Sequence, residues 1–272
     1  MRRSALLLAA LLLDACVGRD AFPAPAAPPA PAAAAMAGYL PRDLLTRLGE
    51  ATPASPAAGS EAEAADRAAS AELAALADTP RWTLAQTHAE IAPALAVAHF
   101  DCPLDTRLSQ EPPPALVRLL GRALRDAGFA ANVAKERVFR ARPFVDDPDR
   151  QVCIRVDADL AGNSSHPSGH AVAGTLFGEI MAEVAPDAAG EMRRRGREIG
   201  WSRAVCALHY PADVAAGHAL GLELHRAMRD SAEYRADVAA ARDEVAAARR
   251  LGRTNPGCAS ERAALALAAA PF

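Results

Sequence analysis

A single lysine, Lys135, stands among the 30 basic residues of this 272-residue chain, so its positive charge is almost all arginine. Aromatics make up only 4% of it, too few for the β-rich cores that depend on aromatic and β-branched side chains. No apolar run after residue 16 is long enough to cross a bilayer. No two cysteines have the CxxC spacing of a zinc or thiol redox motif, so neither zinc nor another metal is expected. With 33 acidic residues against 30 basic ones, the net charge of −3 excludes a general attraction to nucleic-acid polymers.

What the chain has in place of aromatics is alanine, the best helix former, and 51% of its residues are hydrophobic. The patterning predicts one all-α domain, a helical bundle over residues 37–252, followed by a C-terminal tail over 253–272. Ser60 and Glu63 form a capping box that opens a helix to about Ala77. A second helix is expected from Thr83 to about His99 with a kink at Pro93. A third runs from the Pro112-Pro113-Pro114 run to about Phe139, with a break at Gly128. After an irregular stretch from Pro143 to Pro167 come helices near Ser168–Val184, Asp187–Cys206, Pro211–Arg229 and Ala232–Arg250.

Ahead of this domain, Arg2 and Arg3 precede nine apolar residues, Ala5 to Leu13, the layout of an export signal over residues 1–16. Leu13-Asp14-Ala15-Cys16 resembles a lipobox apart from Asp14, which leaves acylation of Cys16 and ordinary cleavage as alternatives. Residues 17–36 are nearly all Ala and Pro and read as an extended tether. Beyond Cys16 the chain has Cys102, Cys153, Cys206 and Cys258. In an oxidising compartment they would form up to two disulfides, with three pairings open, against the alternative of buried thiols.

Three islands carry chemistry. The first runs from Lys135 to Pro143 and combines a point-charge donor with guanidinium forks, a set suited to phosphate. The second, Asn163 to His170, ends in Pro167-Ser168-Gly169-His170 at a predicted helix start. Free N–H groups there attract an anion, and Gly169 lets it approach the backbone. The third runs from Trp201 to Asp213, with Pro211 marking another helix start. From the first turn Asp213 is placed to reach back to His209, and a histidine so held is a candidate nucleophile or base.

The spacing K-x6-RP, PSGH, SR-x5-H-x3-D resembles the type 2 phosphatidic acid phosphatase and vanadium haloperoxidase superfamily. It is matched at Lys135, Arg142 and Pro143, at Pro167 to His170, and at Ser202, Arg203, His209 and Asp213. Arg140-Ala141-Arg142-Pro143-Phe144 and Arg195-Gly196-Arg197-Glu198-Ile199-Gly200 resemble the bacterial class A nonspecific acid phosphatases. His166 stands where that group usually has tyrosine, and Tyr210-Pro211 follows the lipid-phosphatase branch.

The resemblance implies an all-α acid phosphatase, exported to the periplasm or beyond, that hydrolyses small phosphomonoesters without a cofactor. It implies His209 as the nucleophile, Asp213 as its orienting carboxylate and His170 as the general acid and base. It implies Lys135, Arg142, Ser168, Gly169 and Arg203 as the phosphate ligands. Vanadium-dependent haloperoxidase, lipid phosphate phosphatase and noncatalytic phosphate-binding lipoprotein are the alternatives. Self-association is open, and His88, His99, His218 and His225 belong to no motif.

Overall fold

The computed structural model describes residues 37–271. The expected signal, Cys16 and the Ala/Pro tether lie outside the described residues. Within these, the chain folds as thirteen α-helices with short 3-10 turns and no strand. The helices are α1 Arg42–Glu50, α2 Glu61–Glu72, α3 Pro80–Thr87, α4 Pro93–Ala96, α5 Asp101–Leu104, α6 Pro114–Arg137 and α7 Pro143–Asp146. They continue as α8 Ala158–Gly162, α9 Gly169–Val184, α10 Ala189–Val205, α11 Pro211–Met228, α12 Ala232–Arg250 and α13 Cys258–Leu267.

The middle of the fold is α9, apolar on nearly every side, which places it inside other helices. It packs most extensively on α10 and α11, with α6 and α12 completing the surround. Val172, Leu176, Phe177, Ile180 and Met181 of α9 meet Leu116, Leu119 and Leu120 of α6 and Leu220 and Leu224 of α11. Each such side chain contributes about 1.5–3 kcal/mol when fully buried.

The closest approach is between α9 and α10, where Gly174 and Gly196 face each other. A Cβ on Gly174 would lie 2.6 Å from the Gly196 carbonyl oxygen. Backbone meets backbone at this crossing, which fixes the start of α9 relative to α10.

Two expectations about breaks are reversed. Gly128 does not interrupt α6, which is continuous over 24 residues. Gly128 is solvent-exposed, and its modest propensity penalty is outweighed by the buried stripe from Leu116 to Ala134. The segment from Thr83 to His99, in contrast, is not one kinked helix. Ala92 precedes Pro93 and is driven to an extended φ of −59° and ψ of 127°, while the Glu90 carboxylate accepts its N–H at 2.7 Å. Helix α3 therefore ends at Thr87, and a separate turn begins at Pro93. The Ser60 cap forms as expected, with its hydroxyl accepting from Glu63 N at 3.1 Å. The Glu63 carboxylate accepts the N–H of Gly59 at 2.7 Å.

The expected C-terminal tail contains α13, which packs on α3 and buries Ala264 and Leu265. Disulfide Cys102–Cys258 ties it down across 156 residues, and Cys153–Cys206 joins the irregular stretch to the end of α10. The buried Arg81 guanidinium donates to Ala268 O at 2.9 Å, and Ala270 N donates to Glu198 at 2.8 Å. A locally uninformative apolar sequence is thus held by long-range bonds.

The helix crossing makes a paired prediction. Gly174→Ala should destabilise by about 1–3 kcal/mol through overpacking. Gly128→Ala, with nothing within 4 Å of its added Cβ, should stabilise by about 0.5–1 kcal/mol. Denaturant midpoints measure both, and an undiminished midpoint for Gly174→Ala would refute the close crossing.

Candidate active site

Ser168 caps α9, its hydroxyl accepting the Ala171 N–H at 3.3 Å, while its own N–H donates to the Asp213 carbonyl at 3.0 Å. The starts of α9 and α11 are thereby joined. Gly169 is the first residue of α9, and a Cβ there would meet nothing within 4 Å, so its backbone faces open space. His170 follows, and its Nε2 donates to Ala89 O at 3.0 Å, which leaves Nδ1 as the lone-pair nitrogen of the neutral ring. Burial, reinforced by Arg203, pulls its pKa down to about 3.

His209 lies between α10 and α11, and only 4% of it is exposed. The chain reaches it through Ala207, a left-handed residue at φ 57°. Its Nδ1 donates to the main-chain carbonyl of Ser165 at 2.7 Å. Its Nε2 accepts from Arg142 Nη1 at 3.0 Å. These two bonds select one neutral tautomer, with a lone pair on Nε2. Burial, with Arg142 and Lys135 adding repulsion, holds its pKa well below the usual histidine range.

Asp213 is fully buried but does not touch His209 at hydrogen-bond distance, lying 4.0 Å from its Nδ1. Its Oδ1 accepts from Arg140 at 2.7 Å and faces His166 Nδ1 at 3.1 Å. Its Oδ2 accepts from Ser165 Oγ at 2.6 Å and from the Tyr210 N–H at 2.9 Å. The direct carboxylate contact expected from the first-turn spacing is replaced by one through Ser165. Burial pushes the Asp213 carboxyl up, but His166, Arg140 and Ser165 together leave it below the ordinary carboxylate range.

Lys135, in the last turn of α6, donates to Ser164 O. Arg142 donates to Leu160 O at 2.9 Å and to Leu208 O at 2.8 Å. Arg203 is buried in α10, and its Nε and Nη1 have no hydrogen-bond partner among the described residues. A buried guanidinium left with free donors calls for an anion. Burial lowers Lys135 to about 7, Arg142 to about 10 and Arg203 to about 9, with Arg142 repelling the other two.

All eight residues singled out from the sequence come to the α9 and α11 helix starts and the segments packed against them. Sequence reasoning assigned no role to Arg140, Asp66, Ser165 or His166. Arg140 bridges Asp213 and Asp66 at 2.7 Å each, under the Tyr210 ring. Its place in the quoted Arg-Ala-Arg-Pro-Phe run was the available signal; Asp66 and Ser165 had none. Ser202, a motif position, faces away, binding His88 Nδ1 at 2.8 Å and Arg81 at 3.0 Å. His218 contacts Thr175, while His225 sits against Glu179 and Glu183. No cluster among the described residues is arranged to hold a metal.

A sequence model of the PAP2 superfamily matches residues 116–236, the span that holds every one of these groups except Asp66, Arg81 and His88. An acid phosphatase of Zymomonas mobilis is 34% identical over 73% of this chain and 75% of the relative. The chain belongs to the PAP2 superfamily. Non-specific acid phosphatases of Salmonella typhimurium and Providencia stuartii are 30% and 29% identical, each over 63% of this chain and 69% of the relative. The all-α fold expected from the resemblance is the one observed, and no described helix is long and apolar enough to cross a membrane.

The depressed Lys135 pKa sets the sign of a pH effect. In the free site Lys135 is charged below about pH 7 and loses its charge above it. Affinity for a phosphate dianion should therefore fall as pH rises through 7, a limb seen in kcat/KM. Lys135→Arg keeps its charge throughout, so this limb should flatten. The planar fork fits the point-charge site poorly and should lower activity by about tenfold or more. An unchanged limb in this variant would remove Lys135 from phosphate binding.

Proposed function

We propose that this chain is an exported acid phosphatase that hydrolyses small phosphomonoesters through a phosphohistidine on His209, without a metal. The observation that carries the reading is the neutral His209, its Nε2 lone pair turned to Arg142 and its Nδ1 proton held by Ser165. A nucleophile must present an unprotonated nitrogen beside the phosphate ligands, and this one does. The relatives named acid phosphatases support the activity class.

In the first step His209 Nε2 attacks phosphorus and the ester P–O bond breaks. The departing alkoxide takes a proton from His170 Nδ1. In the second step His170 removes a proton from water, whose oxygen attacks phosphorus as the P–N bond breaks. Phosphate leaves, and His209 returns to its neutral tautomer. Asp213 stabilises the imidazole cation through Ser165. Lys135, Arg142, Arg203, Ser168 and the Gly169 N–H hold the equatorial oxygens as charge builds. These cations and the α9 N-terminus supply the charge that a metal would otherwise provide, as bound phosphate restores the His170 proton by raising its pKa.

Export draws support from the N-terminal signal layout and from two disulfides, which persist in oxidising compartments. Acylation of Cys16 would anchor the protein through its tether.

Turnover of a chromogenic phosphomonoester should survive excess chelator. An acid-labile phosphoenzyme should be trapped in wild type and absent from His209→Ala; trapping on His170 would reverse the assignment. His170→Ala should lose about 100-fold or more on alkyl phosphates. It should lose far less on an aryl phosphate whose leaving group needs no proton, and equal losses would make His170 a ligand only.

A further inference from the structure

We infer that His166 is a positioning residue for this reaction, holding the peptide unit whose carbonyl fixes the tautomer of His209. The inference rests on the reading of His209 as nucleophile. It starts from the contacts of the His166 ring, which is buried beside Asp213.

The residue is buried, with 6% of it exposed, and both ring nitrogens face acceptors. Nδ1 lies 3.1 Å from Asp213 Oδ1, and Nε2 lies 2.8 Å from Pro53 O in the segment between α1 and α2. Its backbone is held too, with the N–H donating to Ser164 Oγ at 3.3 Å. A cavity of about 30 Å³ lies beside it, lined in part by Thr52, Pro53, Ala134 and Val138. The two polar contacts of the ring fix its orientation beside this void.

The carbonyl that accepts the His209 Nδ1 proton at 2.7 Å belongs to Ser165. That carbonyl is in the peptide bond joining Ser165 to His166. Ser165 Oγ is bonded in turn to Asp213 at 2.6 Å. The His166 ring and the Ser165 hydroxyl therefore grip the two oxygens of one carboxylate from either side of this peptide. Its carbonyl cannot rotate away from His209 without breaking one of them. Of the two ring contacts, the one to Asp213 closes this loop, and the one to Pro53 anchors it to the outer segment. No hydrogen bond joins the His166 ring to the side chain of Lys135, Arg142, Ser168 or Arg203, whose contacts run to other groups.

The two contacts can be separated, because an asparagine amide nitrogen replaces histidine Nδ1 and a glutamine amide nitrogen replaces Nε2. In His166→Asn the Asp213 contact survives, and kcat should stay within about threefold of wild type. In His166→Gln and His166→Phe it is lost, and kcat should fall about tenfold or more. Inhibition by vanadate should change by less than about threefold in all three, giving a kcat effect without a binding effect. Vanadate titration also counts folded sites, so misfolding cannot imitate the loss. If His166→Phe does not fold, the Asn and Gln pair carries the comparison.

Phosphoenzyme formation by rapid quench should slow by the same factor as kcat in the Gln variant. Wild-type rates in His166→Gln, equal losses in Asn and Gln, or parallel loss of vanadate binding would each overturn the inference. A wild-type enzyme that yields no phosphohistidine would instead overturn the reading of His209, and this inference with it. Trapping in wild type with an unchanged rate in His166→Gln would overturn the role of His166 alone.

Discussion

One fully buried carboxylate, Asp213, joins the segments that carry the candidate catalytic groups. Its two oxygens take the four contacts of Arg140, His166, Ser165 and the Tyr210 N–H, and its carbonyl takes the Ser168 N–H. The stretch after α6, the stretch before α9 and the start of α11 thus converge on a single residue. A buried charge is tolerable only when its lone pairs are satisfied in this way, and removing one partner from such a site is strongly destabilising. The same requirement that keeps Asp213 in place keeps Ser165 against His209.

The opposite condition holds a few ångströms away. Among the described residues, Lys135, Arg142 and Arg203 are drawn together with no carboxylate among their direct contacts, and Arg203 keeps free donors. Their pKa values are lowered because burial, and for Lys135 and Arg203 the neighbouring Arg142, disfavour charge. Such a cluster is held against its own repulsion by the scaffold around it. The glycine-to-glycine crossing of α9 and α10 gives that scaffold little freedom to yield, as close-packed backbones resist displacement more than side chains do. On the proposed reading, a phosphate dianion would remove this repulsion on binding, and the donors would need no rearrangement as charge develops in the transition state.

Much of the site was legible in advance, and what was legible has a common character. The starts of α9 and α11 could be placed because Pro167 and Pro211 act on the backbone within one turn, and the structure adds Ser168 as the cap of α9. Lys135 was marked by composition, as the only lysine in an arginine-rich chain. Gly128 and Pro93 show the limit of such local rules. A glycine penalty is small beside a buried stripe, and the backbone restriction on Ala92 ends one helix rather than bending it. The C-terminal segment was opaque, because its packing depends on a disulfide to residue 102 and a guanidinium at residue 81.

By itself, then, the sequence determined the helical class, the order of the three islands and a set of residue types suited to a phosphate. Those follow from propensity, capping and spacing, which act over a few residues. Only the tertiary structure decided that His209 leans on a Ser165 carbonyl and not on Asp213, that Arg140 bridges two carboxylates, and that Arg203 is buried with free donors. A hydrogen-bond partner is chosen by whatever backbone packing brings within 3 Å or so, and the atoms concerned here are dozens of residues apart in the chain.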